Sequence, residues 1–330
     1  MVEMFSKVTI KSQLTGVVME LKQRINRVEI ERSYKNITQT AKVVLPRYAQ
    51  LVDPGEPFYK IRVGDAITIE LGYDDTDYNT EFEGYITVVK PTVPMELQCE
   101  DEMWIQKQIT VNKSWNSITM KELVTYLVPG TDVTLVPDVT FTPLRIDSVS
   151  VAKALEKLKD YGVVIYFRNK KLFVGFPYYD TNVKHVNYLL DSIATTTANA
   201  KAEGLEFRRA EDYKIKVRAI SVLRDNKKLE VEVGDNDGEL RTLHFSNITT
   251  EAELRAIAEQ SIKRLKVDGL SGTFKSIGGY PYCDHGWVCS LFSNSYPERN
   301  GYYFIEKVKV DYNSNGYKRT VTPGRRAASL

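Results

Sequence analysis

Alternation of apolar and polar side chains is the feature that most restricts the fold of this chain. In the segment Ala66–Leu71, the side chains of Ile67, Ile69 and Leu71 recur at a period of two residues, which is the period of a β-strand. Comparable segments, separated by polar or Pro/Gly-rich loops, lie at residues 17–21, 25–34, 37–45, 82–89 and 95–100. The first hundred residues are therefore predicted to form an antiparallel sheet or a small barrel.

The pattern changes near residue 101 and becomes that of a small α+β domain. Thr119 and Glu122 form a capping-box pattern ahead of an apolar helical stripe, and Pro129-Gly130 ends the predicted helix. A second helix is predicted to begin near Asp147 or Ser148. Two helices packed on a sheet are the expected result.

Two apolar runs and a polar stretch complete this middle region. The runs flank Arg168-Asn169-Lys170 and predict a tight hairpin. Residues 194–201, within the segment 181–203, are small and polar, as in a linker.

Strand patterns resume in the last third of the chain. One helix is predicted among them, capped by Thr249 or Thr250 and ending near Lys266, and we expect it to pack beneath a second barrel. The predicted strands are at residues 214–222, 229–233, 240–245, 288–292, 302–312 and 317–321.

The predicted fold class is mainly β with an α+β insertion. Two tube-like antiparallel β-barrel domains, at residues 1–100 and 201–330, flank a small α+β domain and linker at residues 101–200. The length of 330 residues, of which 42% are hydrophobic, provides ample apolar mass for buried cores.

Composition restricts the partners and the compartment. A net charge of +2 gives no global attraction to nucleic acid or to an anionic membrane. No apolar stretch is long enough to span a bilayer, and the first residues lack the pattern of a secretion signal. The three cysteines, Cys99, Cys283 and Cys289, are too few and too scattered for a disulfide framework, as expected for a protein made in a bacterial cytoplasm.

The two β regions share an internal pattern. The first contains Gly64-Asp65, an alternating strand, the acidic loop of Asp74, Asp75 and Asp77, and then Gly84-Tyr85 ahead of an apolar strand. The second contains Gly286-Trp287, a strand, a polar loop with Arg299, and then Gly301-Tyr302 ahead of an aromatic strand. Duplication of one barrel would let three chains present six similar units around an axis.

These blocks resemble the phage late control protein D family, the tail hub proteins, which are related to the hub part of type VI secretion spike proteins. The resemblance is carried by Arg62–Ile69, Phe82–Ile86, Ala258–Leu265, Gly272–Phe274, His285-Gly286, Tyr296–Phe304 and Gly316-Tyr317. It covers about half of the chain as an order of blocks, and the middle domain contributes little to it.

The resemblance implies a structural protein and no enzyme. It implies a homotrimer whose six barrels form a pseudo-sixfold ring between a hexameric tail tube and a trimeric spike, with other baseplate proteins around it. DNA could pass through the lumen without being bound specifically, and no membrane insertion, cofactor or metal is implied. The corresponding location is the baseplate of a virion tail or of an injection machine. The interface residues that we predict are Gly64, Asp65, Asp74, Asp75, Asp77, Gly84, Tyr85, Gly286, Trp287, Arg299, Gly301 and Tyr302.

Catalytic and metal-binding interpretations have weaker support in the sequence. Cys283 and His285 could form a nucleophile and base, but no orienting group is visible beside them. The same pair with Cys289 gives three zinc ligands at a spacing that matches no common zinc site. The acidic loop starts like a calcium loop but has Thr80 where glycine is needed.

The alternative function is a tail-associated carbohydrate-binding protein or a cell-wall or glycan hydrolase, and a cell-wall peptidase that uses Cys283 is a third possibility. Tyrosine and tryptophan on a β scaffold, such as Trp104, Trp115 and Trp287, would suit a sugar surface. A hydrolase would also need two carboxylates across a cleft, which a sequence does not show.

Overall fold

The structure is a computed structural model that describes residues 4–46, 61–74, 76–90, 92–135, 139–161, 163–175, 184–192, 196–212, 214–222, 228–246, 248–266 and 268–327. Strands make up most of its regular secondary structure, and large antiparallel sheets dominate. The predicted fold class, mainly β with an α+β insertion, is confirmed.

Among the described residues of the first hundred, seven strands lie in the order β2-β1-β5-β6-β7-β4-β3, all antiparallel to their neighbours. Alternate side chains are buried, as in β5, where Ile67, Ile69 and Leu71 are at most 1% exposed. The predicted sheet is therefore present, with β1 as an additional strand. The strands are β1 (Phe5–Lys11), β2 (Val18–Lys22), β3 (Arg27–Ser33), β4 (Thr40–Leu45), β5 (Ala66–Gly72), β6 (Tyr78–Lys90) and β7 (Met95–Glu100).

The α+β insertion follows and has its own apolar core. The second predicted helix begins later than expected: residues 144–150 pair with the preceding strand β8, and Ser150 caps a helix that starts at Val151. Strand pairing on both sides of a bulge at Asp147 and Ser148 thus overrides the helical pattern. The elements are α1 (Met103–Gln108), β8 (Thr110–Trp115), β9 (Ile118–Thr119), α2 (Met120–Leu127), β10 (Val133–Leu135), β11 (Thr140–Phe141), β12 (Leu144–Ser150), α3 (Val151–Lys157), β13 (Val164–Arg168) and β14 (Lys171–Gly175).

The predicted hairpin of the insertion is confirmed. β13 and β14 pair antiparallel from Val164↔Gly175 to Arg168↔Lys171. The two turn residues, Asn169 and Lys170, have φ values of 48° and 62°. Two consecutive positive φ values are typical of a type I′ turn, whose twist matches that of the strands.

The start of α2 is the predicted capping box, and it gives a test of local stability. The Thr119 hydroxyl accepts a hydrogen bond from the Glu122 N–H, and the Glu122 carboxylate accepts one from the Thr119 N–H at 2.9 Å. We expect Thr119→Ala to lower the free energy of unfolding by about 1 kcal/mol, because a helix N–H loses its acceptor. Urea denaturation followed by circular dichroism measures this. Thr125→Ala, in the same helix but away from the cap, should change stability by less than about 0.5 kcal/mol.

Nine strands and one α-helix lie in the described residues of the last part of the chain. The predicted strands and the predicted helix are present there, and β15, β16 and β20 are additional. The elements are β15 (His185–Leu189), β16 (Ala200–Arg208), β17 (Ile215–Val222), β18 (Lys228–Gly234), β19 (Glu239–Ser246), α4 (Glu251–Leu265), β20 (Gly269–Ser276), β21 (Val288–Phe292), β22 (Gly301–Asn313) and β23 (Gly316–Arg326).

The same arrangement of six strands occurs twice in the chain. In the first repeat the strands lie in the order β1-β5-β6-β7-β4-β3, and in the second repeat in the order β15-β21-β22-β23-β20-β16. The six strands of each repeat can be numbered along the chain if β2 is left out of the first repeat and β17, β18 and β19 are left out of the second. Both orders then read first, fourth, fifth, sixth, third, second. One difference is that β15 runs parallel to β21, whereas β1 runs antiparallel to β5.

A small unit is inserted between the second and third strands of the second repeat. Strands β18-β17-β19 form a separate sheet, and α4 packs on β17 and β18 around Val217, Leu254 and Ala258. The expectation that this helix packs beneath the second barrel is therefore wrong. The reason is that its buried stripe is used by the three strands that immediately precede it.

The predicted linker is also partly structured. Residues 185–189 form β15, and Ala200 and Lys201 already belong to β16. Small side chains do not prevent strand formation here, because β16 obtains its hydrogen bonds from β20 and Ala200 is buried against the core.

The two repeats are joined directly through β3 and β22. These strands pair antiparallel over seven residue pairs, from Lys307↔Ser33 to Asn313↔Arg27, and place both repeats in one sheet. The buried side chains of both repeats form one continuous apolar core. The domain boundaries at residues 100 and 200 stay a prediction.

Candidate assembly surface

Gly64 and Gly286 occupy equivalent positions in the two repeats. The N–H of Gly64 donates to the Ile86 carbonyl at 2.8 Å, and the N–H of Gly286 donates to the Ile305 carbonyl at 2.7 Å. In return, the N–H of Ile86 donates to the carbonyl of Asp65, and that of Ile305 to the carbonyl of Trp287. Both glycines have positive φ, 94° and 80°. The turn before the fourth strand is therefore the same in both repeats.

The second pair of glycines does not match in this way. Tyr85 pairs with Ala66, two residues after Gly64, and Phe304 pairs with Val288, two residues after Gly286. Tyr85 thus corresponds to Phe304, and Gly84 corresponds to a residue two positions after Gly301. The sequence pattern matched Gly84 with Gly301, and the register of the strands corrects this match.

The predicted acidic residues of the first repeat have three different environments. Asp65 is buried, and its carboxylate accepts hydrogen bonds from the backbone N–H groups of Gln13 and Arg62. Asp74 is exposed and closes its own turn by accepting from Thr76 and Asp77, and these hydrogen bonds lower its pKa. These two residues support loops.

Asp77 contacts the second repeat of the same chain. Its carboxylate accepts a hydrogen bond from the Tyr280 hydroxyl at 2.9 Å. The tip of the first hairpin is thus held by the loop before β21. Asp75 lies outside the described residues.

Tyr85, the aromatic interface candidate of the first repeat, packs toward the α+β insertion. Tyr85 stacks on Trp104, with ring centroids 5.5 Å apart, and its hydroxyl donates to Glu102 at 3.2 Å. Partial burial and the neighbouring Glu102 carboxylate raise the pKa of Tyr85 to about 12. This site joins the first repeat to α1.

The candidates of the second repeat lie near the two ends of its hairpin. Trp287 packs edge-on against Tyr282 and carries Lys184 over its ring. At the far end the Arg299 guanidinium lies 4.1 Å from the Tyr296 ring centroid. Gly301 starts β22, and the neighbouring Tyr302 is 38% exposed. The hairpin end therefore presents an exposed aromatic and cationic surface.

The joint between the repeats has one apolar face and one charged face. Val28, Ile30, Val308 and Val310 are fully buried on the inner face. On the outer face Glu31 lies opposite Lys309 in the ladder and forms a 2.7 Å ion pair with Lys307. Backbone pairing, apolar burial and charge complementarity therefore all contribute to this joint.

A buried ionic cluster lies directly under the joint. The Glu81 carboxylate of the first repeat accepts hydrogen bonds from Arg319 at 2.6 Å and from the Tyr317 hydroxyl at 2.6 Å, both in the second repeat. Arg32 of β3 forms a 3.3 Å ion pair with the same carboxylate. Arg319 is 0% exposed, Glu81 1% and Arg32 4%. One carboxylate thus connects strands of both repeats.

Burial and charge act in opposite directions on Glu81. Burial alone would raise the pKa of this carboxyl, but the guanidinium groups of Arg319 and Arg32 lower it below its ordinary value. Glu81 is therefore ionised at neutral pH, and it compensates the charge of Arg319 and shares the compensation of Arg32 with Asp284.

A second buried carboxylate connects the joint to the middle domain. Asp284 forms ion pairs with Arg32 at 3.2 Å and with Arg168 of the β13–β14 hairpin at 3.6 Å. Asp284 also accepts from the His285 ring at 2.8 Å, and the guanidinium of Arg168 donates to the His285 carbonyl. Burial is the main cause of a lowered pKa for His285. The first repeat, the second repeat and the α+β insertion therefore meet in one polar network.

Sequence reasoning missed Arg32, Glu81 and Arg319. A signal for the arginines was present: Arg32 follows Val28 and Ile30, and Arg319 stands between Tyr317 and Val321, in both cases at the inward period of a strand. A charged residue at an inward position indicates a buried partner. The partner itself comes from a distant strand, which the sequence does not identify.

The Cys283–His285 pair is not arranged as a nucleophile and base. Cys283 is fully buried, its sulfur accepts a hydrogen bond from the Tyr188 hydroxyl, and burial raises the pKa of its thiol. The His285 ring instead contacts Asp284 and the edge of Tyr166. A buried thiol with a raised pKa is a poor nucleophile.

In the described part of the chain, neither the candidate metal ligands nor the three tryptophans are gathered into one site. No group of three or more His, Cys, Asp or Glu side chains there could hold a metal ion. The three tryptophans lie apart: Trp104 on Tyr85, Trp115 against Tyr126, and Trp287 against Tyr282. None of the described helices has both the length and the apolar character needed to cross a membrane.

The fold is shared with proteins of phage tails and of secretion machines. The chain aligns with the 43 kDa tail protein of prophage MuSo2 from Shewanella oneidensis at a TM-score of 0.63 and 14% identity, over 97% of this chain and 98% of the other. A tail protein of Neisseria meningitidis MC58 aligns at 0.65 and 12% identity, over 97% and 96%. An Escherichia coli component of the type VI secretion system, described as similar to the T4 tail proteins gp27 and gp5, aligns at 0.57 and 10% identity, over 97% and 79%.

By its fold, the chain thus belongs to the class of β-rich proteins with a tail-protein fold. Neither the protein-family models nor the curated proteins give a match to the sequence.

Proposed function

We propose that this chain is a structural hub subunit in the baseplate of a phage tail or of a related contractile injection machine. The single observation that carries the proposal is the repetition of one six-strand arrangement within the chain, with the two copies joined edge to edge by β3 and β22. Two similar units per chain allow three chains to present six units to a hexameric partner.

Similarity over nearly the whole length supports the tail assignment. The alignments with the two tail proteins cover at least 96% of each chain, so both repeats and the α+β insertion are part of the shared fold. At 12–14% identity the likeness concerns the fold, and the late control protein D assignment is part of the proposal. The chain would act by surface complementarity and without catalysis.

The proposed partners follow from the symmetry of such a ring. A homotrimer would bind a hexameric tail tube protein on one side and a trimeric spike protein on the other, with further baseplate proteins around it. The similarity to a type VI secretion component supports a place next to a spike. The location is the tail baseplate of a particle assembled from subunits made in the bacterial cytoplasm.

The purified full chain tests this proposal. We expect a mass close to three times 37.7 kDa in light scattering, alone or after mixing with a tail tube protein, and threefold rings with a central hole in negative-stain images. A chain that stays monomeric in both conditions contradicts the proposal.

A further inference from the structure

The joint between the two repeats uses a strand edge that extends past its own hairpin. On one edge of β22, residues 301–304 pair with β21, and residues 307–313 of the same edge pair with β3. The second strand of one repeat is therefore added to the fifth strand of the other. This type of contact needs one exposed second strand and one overhanging fifth strand.

The first repeat has a shorter overhang of the same kind, and no strand among the described residues pairs with it. In β6, residues 78–85 pair with β5, whereas Val88, Val89 and Lys90 extend further and pair only with β7 among the described residues. Val88 is 37% exposed and Val89 is half-buried, whereas Val308, which corresponds to Val89, is 0% exposed under β3. The overhang of β6 is thus less covered than that of β22.

The second repeat has the matching exposed second strand. β16 pairs with β20 on one edge, and no described strand pairs with its other edge. Phe207 points inward from β16 but is only half-buried, unlike the corresponding Arg32 in β3, which is 4% exposed. The chain therefore has one copy of the joint made and both halves of a second copy available, one on the edge strand β16 and the other on the overhang of β6.

We infer that β16 of one subunit pairs antiparallel with residues 88–90 of β6 in the next subunit, repeating the β3–β22 joint between chains. This inference rests on the proposed hub function and names the surfaces that close its ring. The partner is a second copy of this chain. Because the contact is head-to-tail, it can propagate around an axis until the ring closes.

The register follows from two matching rows of residues. A row is a set of residues that lie opposite one another on neighbouring strands. In the first repeat one row is Lys90-Glu96-Val44-Arg27, and in the second repeat the corresponding row is Lys309-Thr320-Lys275-Lys201. Lys201 therefore corresponds to Arg27. The bulge at Gly204 gives β16 one extra residue, so Glu206, five residues after Lys201, corresponds to Glu31, four residues after Arg27.

The charges at these positions are complementary. Lys309 lies opposite Glu31 within the chain, and the inferred contact places Lys90 opposite Glu206 between chains. Lys90 and Glu206 are both exposed, and Lys90 also forms a surface ion pair with Glu96 of its own subunit, so substitutions at these positions leave the core of the subunit unchanged. Cross-strand ion pairs of this kind fix register and partner.

Disulfide trapping tests the contact directly. Lys90→Cys and Glu206→Cys are introduced in separate chains, mixed, oxidised mildly and run on non-reducing gels. We expect a covalent dimer from the mixture and none from either variant alone, because Cα atoms of opposite residues lie about 5 Å apart, within disulfide range. The double variant should give covalent species up to trimer. The native cysteines are all buried, so the wild-type chain is the blank.

Two control pairs give the trapping its reference. Glu31→Cys with Lys309→Cys in one chain should cross-link within the monomer, since these residues lie opposite each other in the existing joint. Lys90→Cys with Lys201→Cys should not cross-link, because position 201 lies four ladder positions, about 13 Å, further along β16.

Charge exchange provides a second measurement. Lys90→Glu and Glu206→Lys should each raise the dissociation constant of the trimer by about tenfold, and the double exchange should restore it. A trimer in light scattering that neither cross-links at 90–206 nor responds to the exchange overturns this inference and leaves the hub proposal standing. A chain that does not oligomerise at all overturns both.

Discussion

Glu81→Ala should be the most destabilising single substitution in the described part of this chain outside the apolar core. The change leaves the guanidinium groups of Arg32 and Arg319 buried at 4% and 0% exposure without their shared carboxylate. Removal of one partner from a buried ion pair costs about 3–5 kcal/mol, because the remaining charge is desolvated and uncompensated. Urea denaturation at pH 7 measures the loss, and a chain that does not fold at all agrees with it.

A surface carboxylate provides the matched control. Glu96 also pairs with two cations, Lys42 and Lys90, each at 2.7 Å, but its cations are 41% and 46% exposed. Exposed pairs of this kind contribute at most about 1 kcal/mol. If Glu81→Ala costs no more than Glu96→Ala, the buried cluster does not hold the two repeats together.

The pH dependence gives an independent reading of the same cluster. The pKa of Glu81 in the folded state lies below its ordinary value of 4.5, so its ionised form stabilises the fold at neutral pH. That contribution is fully present above the unfolded-state pKa and is lost as the pH falls through the folded-state pKa. Glu81→Gln should therefore show a smaller loss of stability between pH 5 and pH 3 than the wild-type chain, when both are compared by denaturation at each pH.

The strands of this protein were predictable because their burial alternates. Segments such as Ala66–Leu71 face the core on one side and solvent on the other, and a period of two follows directly. β15 and β16 were not predicted, since β15 has only five residues, β16 is interrupted by Gly204, and their pairing is supplied by β21 and β20, which lie far along the chain. Long-range pairing overrides local propensity at these positions.

The candidate surface was predictable only in part, for a similar reason. The turn glycines Gly64 and Gly286 carry a local signal, positive φ, which the sequence shows as a repeated glycine before a strand. The register that separates Gly84 from Gly301 depends on which residues lie opposite in the neighbouring strand. The contact between Glu81 and Arg319 joins residues 238 positions apart, and nothing local identifies it.

Gly84→Ala should produce the second large effect, through backbone sterics and not through charge. A Cβ atom at position 84 would lie 2.2 Å from the backbone oxygen of Glu100 and 2.9 Å from the Phe82 ring. Neither β7 nor the buried ring can move away without disturbing the pairing of β6 with β7. Overpacking of this kind costs about 3 kcal/mol.

The neighbouring residue separates this effect from a general weakness of β6. Glu83 is exposed on the same strand, so Glu83→Ala should change the free energy of unfolding by less than about 0.5 kcal/mol. The two variants are compared by chemical denaturation and by the mass of the assembled protein. Since β6 also provides the overhang at residues 88–90, distortion at Gly84 should reduce trimer formation as well as stability, whereas Glu83→Ala should leave both unchanged. Equal stability of the two variants would mean that β6 and β7 tolerate a side chain at the closest approach of their backbones.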